Sequence, residues 1–396
     1  TPVLDVEWSP NANYFAIAGY PLSSGETVKG FKFADGQIVE IPGAVTTFGS
    51  VANAISWSPD GSHLVMVGLD DPEIKIVSFN GYEFEDICQI EQSVGAEVLA
   101  VDWSPTDIFI ATGGKTAGGV QVRVFSFLYS QELNPLPNAT YNHNEDVYSV
   151  EFSPNGKFLA VGGAASQDYD SVGVLEFNGA TLTSIASYYH GADIFSVAWS
   201  PTGGYLAIGG AAGTGSNTVK VFWFDGQQLL ETGADYVGAY TIASLDWSPN
   251  GRYLAAVGNG GSGTIELRLF EFDGSSLTSL SNIEWVDGGV GYAVSWTSHG
   301  LYLVVGGDNI NAVFDFGVYS MMNNPSKCLV DSCRVCNASR NGYGAIGISG
   351  SSANNMIIRN ICYESDVNVS EGVFNTSYSG LIGFPSNLFN SAVPPY

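Results

Sequence analysis

Four histidines, five cysteines and an excess of carboxylates are the side chains of this chain that could do chemistry. His63, His143, His190 and His299 each lack a second His or Cys at the spacing of a metal site, so no zinc centre is expected from them. Paired carboxylates stand at Asp70-Asp71, Glu145-Asp146 and Asp168-Tyr169-Asp170. In an acidic chain such pairs read first as solvated loop charges and only second as general acids, bases or calcium ligands, and no Asp-x-Asp-x-Asp-Gly loop supports calcium. Gly347-Ile-Ser-Gly350 falls short of a Gly-x-Ser-x-Gly nucleophile elbow. The expectation is a non-enzymatic protein with no cofactor and no metal.

The cysteines point to compartment more than to catalysis. Cys88 stands alone and reads as a small buried hydrophobe, whereas Cys328, Cys333, Cys336 and Cys362 crowd the C-terminal end. Four clustered thiols in a Lys-poor chain read as two disulfides of an oxidising compartment, with three pairings open. Cys333-Arg-Val-Cys336 is a lone CxxC, which leaves zinc as the lesser reading. Asn138, Asn337, Asn368 and Asn375 head glycosylation sequons. Thr1 reads as the residue after a removed signal peptide, so the expected location is extracellular or the cell surface.

What positions these residues is a repeat. Val-x-Trp-Ser-Pro recurs with its aromatic at Trp8, Trp57, Trp103, Phe152, Trp199, Trp247 and Trp296, in steps of 49, 46, 49, 47, 48 and 49 residues. A period in the forties marks stacked or radially arranged units. Each unit reads as four short strands: a with the Trp, b as in Phe158-Leu-Ala-Val-Gly-Gly163, c as in Val172-Gly-Val-Leu-Glu-Phe177, and a weaker d. Pro-Asn-Gly, Pro-Asp-Gly and Phe-Asp-Gly supply the hairpin turns.

Four antiparallel strands per unit and seven units predict an all-β chain, a seven-bladed β-propeller, with repeats beginning near 1, 51, 97, 146, 193, 241 and 290. The repeat resembles those of WD40 and TolB-type (PD40) propellers over about residues 1–320. It lacks the Gly-His and Trp-Asp dipeptides of the WD40 pattern, and its Trp-Ser-Pro-Asp/Asn-Gly turn is closer to TolB. Such propellers serve as scaffolds, receptors and enzymes, so the resemblance implies fold and not function.

Residues 321–396 differ in character. Lys327–Glu364 holds two segments that align 28 residues apart and resemble right-handed parallel β-helix coils. The tail beyond is apolar through Leu381, Ile382, Phe384, Leu388, Phe389 and Tyr396. No strand precedes the first motif to complete the last blade, so its fourth strand is expected from about Lys327 to Val335 or from another chain.

Charge narrows the partners. A formal net charge of −26 repels nucleic acid and anionic membrane surfaces. The a–b and c–d turns are nearly uniform, whereas the b–c and d–a loops vary and share the other face, where binding is usually built. That face carries Asp70, Asp71, His143, Glu145, Asp146, Asp168, Tyr169, Asp170, Tyr188, Tyr189, His190 and Asp193. Tyr236 and Tyr240 read either as further ligand contacts or as packing between blades.

Two functions follow. An unclosed last blade, uncapped coils and an apolar tail predict a secreted structural protein that binds copies of itself into a filament or surface layer. The alternative is a monomeric module that binds a surface glycan or protein on the variable-loop face. A polysaccharide-active enzyme is the remote third.

Overall fold

The computed structural model describes residues 2–22, 25–34, 37–92, 94–106, 108–117, 119–128, 132–166, 169–213, 217–238, 241–259, 267–280, 290–308 and 311–315, and four short strands beyond them. Six four-stranded antiparallel sheets follow one another along the chain. Blade 1 is β1 (Val3–Trp8), β2 (Tyr14–Gly19), β3 (Val28–Ala34) and β4 (Gln37–Thr46). Blade 2 is β5 (Ala52–Trp57), β6 (His63–Gly68), β7 (Ile74–Phe79) and β8 (Phe84–Gln92). Blade 3 is β9 (Val98–Trp103), β10 (Phe109–Ala117), β11 (Val120–Leu128) and β12 (Glu132–Tyr141). Blade 4 is β13 (Val147–Phe152), β14 (Phe158–Gly163), β15 (Val172–Phe177) and β16 (Leu182–Tyr188). Blade 5 is β17 (Ile194–Trp199), β18 (Tyr205–Gly210), β19 (Asn217–Phe224) and β20 (Leu229–Val237). Blade 6 is β21 (Thr241–Trp247), β22 (Tyr253–Asn259), β23 (Leu267–Phe272) and β24 (Leu277–Ser279).

The fold is a β-propeller, and the described residues hold six complete four-stranded blades where seven were expected. The seventh motif forms a three-stranded sheet of β25 (Gly291–Trp296), β26 (Tyr302–Gly307) and β27 (Asn311–Asp315). Among the described residues no fourth strand joins β27, and Lys327 to Val335 does not supply it. There β28 (Leu329–Asp331) pairs in parallel with β30 (Met356–Ile358), and β29 (Arg334–Val335) with β31 (Ile361–Cys362). The register joins Leu329 to Met356, an offset of 27 rather than 28, and the rest of the segment read as β-helix coils lies outside the described residues. By compactness the chain divides into Thr1–His299 with Val304–Asn311, and Gly300–Leu303 with Ala312–Tyr396. The side chains of Cys88, Cys328, Cys333, Cys336 and Cys362, the tail residues Leu381, Ile382, Phe384, Leu388, Phe389 and Tyr396, and Asn337, Asn368 and Asn375 lie outside the described residues. No described helix is long and apolar enough to cross a membrane.

Each letter of the motif has a structural reason. The aromatics Trp8, Trp57, Trp103, Phe152, Trp199, Trp247 and Trp296 are buried between blades. In the six four-stranded blades each packs against the phenylalanine at or near the end of strand c, as Trp103 does with Phe127 at 5.4 Å and Trp247 with Phe272 at 5.2 Å. The serine that follows is buried too, and its hydroxyl ties the turn: Ser153 Oγ donates to Asn155 Oδ1 (2.8 Å) and accepts from Phe158 N (3.0 Å). The turn glycine occupies the left-handed region, with φ of 69°, 68°, 70°, 68° and 69° at Gly61, Gly156, Gly203, Gly251 and Gly300. In blade 1 that place falls to Ala12, with φ of 56°.

Strand a carries a bulge between its first and third residues, as between Val147 and Ser149. At the other end of the hairpin, strand b closes with a glycine because a Cβ there would collide with the backbone carbonyl preceding strand a. Gly163, for instance, would place one 2.5 Å from Asp146 O.

Candidate functional site

Strands a surround the axis, each packed beside the next, with β25 beside β1. The middle residue of Val-x-Trp clasps the following blade. Glu7 accepts from Trp57 N (2.8 Å), Ser56 from Trp103 N (3.1 Å), Asp102 from Phe152 N (2.6 Å), Glu151 from Trp199 N (2.7 Å) and Asp246 from Trp296 N (2.6 Å). Ser295 accepts from Trp8 N at 3.3 Å. Ala198 has no acceptor side chain and keeps only the bond from Trp247 Nε1–H to its carbonyl at 3.1 Å, which the Glu7 and Glu151 carbonyls also make with Trp57 and Trp199. Two residues earlier, Asp5, Ser149, Ser196 and Ser244 accept from Ile55, Val197, Leu245 and Val294 in the same way.

Five of these acceptors are carboxylates converging on the axis. Burial pushes Asp5 up to about 6 and Asp102 and Asp246 up to about 7, against the backbone hydrogen bonds that favour their charged forms. Burial also holds Glu7 and Glu151 well above the ordinary glutamate range, and repulsion from Asp102 and Asp246 adds to it in both. That repulsion between blades shows how closely the ring approaches itself. No group of His, Cys, Asp and Glu among the described residues has the geometry of a metal site, so these acids serve the interblade bonds.

The bulge turns a different set of residues toward the mouth of the axis on the b–c and d–a side. They are Leu4, Asn53, Leu99, Tyr148, Phe195, Ala243 and Tyr292, all partly exposed. Tyr148 and Phe195 lie ring to ring at 5.1 Å. The residue just before strand a is acidic in three consecutive blades: Glu97, Asp146 and Asp193. Lys115 pairs with Glu97 at 2.6 Å, and Asn53 Nδ2 donates to the same carboxylate at 3.2 Å. Burial raises the Tyr148 phenol, and Asp193, Asp146 and Glu145 raise it further while Lys115 opposes them. Across the mouth, Tyr292 donates to Asp308 at 3.4 Å beside the exposed Tyr20.

The expected face residues divide by burial. His143 and His190 are 3% and 1% exposed, which removes them from any binding face. Their backbone N–H groups donate to Gln121 Oε1 (2.8 Å) and Ser171 Oγ (3.3 Å), and burial holds both rings below the ordinary histidine range, hence neutral. Tyr188 packs on Phe222 at 4.7 Å and donates to Glu231, and Tyr236 packs on Phe270 at 4.9 Å, so both are interblade filler. Asp70 caps Ser50 N–H, Asp71 precedes a cis peptide bond to Pro72, and Asp170 accepts from Ser187. Asp168 and Tyr240 lie outside the described residues, Tyr169 and Tyr189 are exposed, and Asn138 is exposed on β12. Among the described residues of the expected set, Asp146, Glu145 and Asp193 alone reach the mouth. The reading from sequence missed Tyr148, Phe195, Tyr292 and Glu97, whose one signal is their place at the start of strand a, just before the conspicuous motif.

Several of the basic residues are spent inside the blades. At one position of strand c stand Lys29, Lys75, Arg123, Lys220 and Arg268, five of the thirteen Lys and Arg in the chain. Lys29 pairs with Glu40, Lys75 with Asp86 at 2.9 Å and Lys220 with Asp235 at 2.9 Å. Lys220 and Arg268 also lie over the Tyr188 and Tyr236 rings of the preceding blade, at 5.9 and 5.0 Å.

Comparison with known proteins agrees with the repeat. The WD domain, G-beta repeat family matches residues 136–169, 182–222 and 229–267, and the eukaryotic translation initiation factor eIF2A family matches residues 1–124. The chain is 30% identical over 171 residues to WD repeat-containing protein AAC3 of Dictyostelium discoideum, covering 41% of this chain and 31% of that protein. It is 26% identical over 147 residues to Protein hir-1 of Neurospora crassa, covering 32% of this chain and 13% of that protein. The chain thus spans a third or less of the length of these relatives.

Proposed function

We propose that this chain is a protein-interaction module that docks a partner polypeptide over the mouth of its axis, on the b–c and d–a loop side. The observation that carries this reading is the rim itself: Tyr148, Phe195, Tyr20 and Tyr292 offer partly exposed aromatic area beside Glu97, Asp146, Asp193 and Asp308. Aromatic anchors ringed by charge are the usual composition of a protein-binding centre. The WD-repeat matches favour the same reading without naming a partner. No activity of the relatives is carried over, since only part of each is matched.

In this reading the three-stranded sheet is the seventh blade. Ser295 clasps Trp8 as Ser56 clasps Trp103, and a Cβ on Gly306 would press on Val3 and Val6 just as one on Gly162 would on Ile194 and Val197. Filament assembly through the tail, extracellular secretion and glycan binding gain no observation among the described residues.

The test is affinity capture followed by crosslinking. The double variant Tyr148→Ala, Phe195→Ala should lose partners that wild type retains, while Tyr82→Ala, which removes an 80% exposed ring from a c–d turn, should keep them. Equal capture by all three proteins refutes the assignment of the face.

A further inference from the structure

The repeat supplies its own comparison at the rim. The N–H that follows the Gly-Gly pair of strand b donates to the carbonyl just before strand a in several blades: Lys115 to Glu97 (2.9 Å), Ala164 to Asp146 (2.8 Å) and Ala211 to Asp193 (3.0 Å). These three residues are therefore equivalent by position. Between blades 3 and 4 the position is a lysine, whose ammonium pairs with Glu97 and is further favoured by Asp146. Between blades 4 and 5 it is Ala164, so the next notch around the rim has the acids and no cation of its own.

That notch brings two carboxylates together with two rings. Asp146 lies on one side, and on the other stands Asp193, held in place by Ala165 N–H donating to its Oδ1 at 2.8 Å. The Tyr148 and Phe195 rings lie side by side at 5.1 Å within the field of both carboxylates. A guanidinium or ammonium on a flexible stem would meet opposite charge and aromatic faces at once, and both attract it.

We infer that the notch between blades 4 and 5 receives an arginine or lysine side chain of the partner polypeptide, which takes the place that Lys115 fills in the neighbouring notch. Charge complementarity supports this occupant: with five basic residues consumed within the blades of a chain of net charge −26, the rim meets a partner as an anionic surface. The inference rests on the face proposed above and adds the chemistry of what enters it.

The test fills the notch from within. Ala164→Lys puts this chain's own ammonium where the partner's would go, on a partly exposed residue at a position that already carries lysine in blade 3. N-acetylarginine methylamide and N-acetyllysine methylamide are titrated into the full chain while the ring resonances of Tyr148 and Phe195 are followed by NMR. Citrulline and acetyl-lysine analogues serve as neutral controls.

The expected result is binding at least tenfold tighter for the cations than for the neutral analogues, weakened at least tenfold in both Ala164→Lys and Asp146→Asn. Unchanged thermal midpoints of the variants separate occupancy from misfolding. If the rings do not respond to the cations, or respond equally in Ala164→Lys, the inference is overturned. Capture that still depends on Tyr148 and Phe195 would then leave the face standing without this occupant, whereas failure of both assays removes the face as well.

Discussion

Replacing Asp102 or Asp246 with asparagine should make the protein more stable at pH 8 and less sensitive to pH. Each carboxyl titrates near 3.8 when free and at about 7 in the fold. Between those values the folded chain holds a proton that the unfolded chain has released, so stability is greatest on the acid side and falls as pH rises from about 4 to about 7. Three pH units at about 1.36 kcal/mol each come to about 4 kcal/mol per residue at pH 8, a large share of a typical stability of about 5–15 kcal/mol.

Asparagine keeps an oxygen to accept from Phe152 N or Trp296 N and carries no charge. It also relieves Glu7 and Glu151, which both residues repel. Exposed Asp273, held at about 2 by Ser275 and Ser276, works in the opposite sense, but its contribution is lost only as pH falls below about 4. Thermal midpoints by tryptophan fluorescence at pH 5 and pH 8 are the assay. The variants should rise by about 5 °C at pH 8 and by about 2 °C at pH 5. A variant whose midpoint runs parallel to wild type between the two pH values would refute the account of the ring.

Two further substitutions test the backbone of the repeat. Ala12→Gly should stabilise by about 1 kcal/mol in urea unfolding, because Ala12, alone among the described turn residues at this place, holds a left-handed φ without being glycine. Gly163→Ala should destabilise by about 2–3 kcal/mol, since its methyl would meet Asp146 O and His143 Nε2 at 2.5 and 2.6 Å, and a backbone carbonyl cannot step aside as a side chain can.

The strands, turns and interblade tryptophans were legible from sequence because they repeat. Trp-Ser-Pro-Asn-Gly specifies an aromatic anchor, a buried hydroxyl and a left-handed turn each time it appears, and the structure uses them so. The count of complete blades was not legible, because the motif marks strand a and says nothing of strand d, which is the least patterned element of every repeat. The acidic ring was hidden for another reason. Glu7, Asp102, Glu151 and Asp246 alternate with apolar neighbours, and that pattern reads as a strand face turned to open water. Only closure of the ring shows that the face looks at its counterparts across an axis. The candidate face was found by loop variation, but its inner rim was not, because variation in a loop does not tell which end of the loop lies near the axis.

The clasps give the molecule an order without a beginning. Each runs from one repeat to its successor, and the link from Ser295 to Trp8 returns the last motif to the first. The peptide bonds between blades therefore decide only which repeats are neighbours in the gene product, not how strongly adjacent blades hold. A chain joined from the last motif to the first and opened instead in an exposed turn, such as Asn178-Gly179, would still present every donor to its acceptor. Deleting one repeat is different, since the blades on either side would meet at a junction between residues that were never paired.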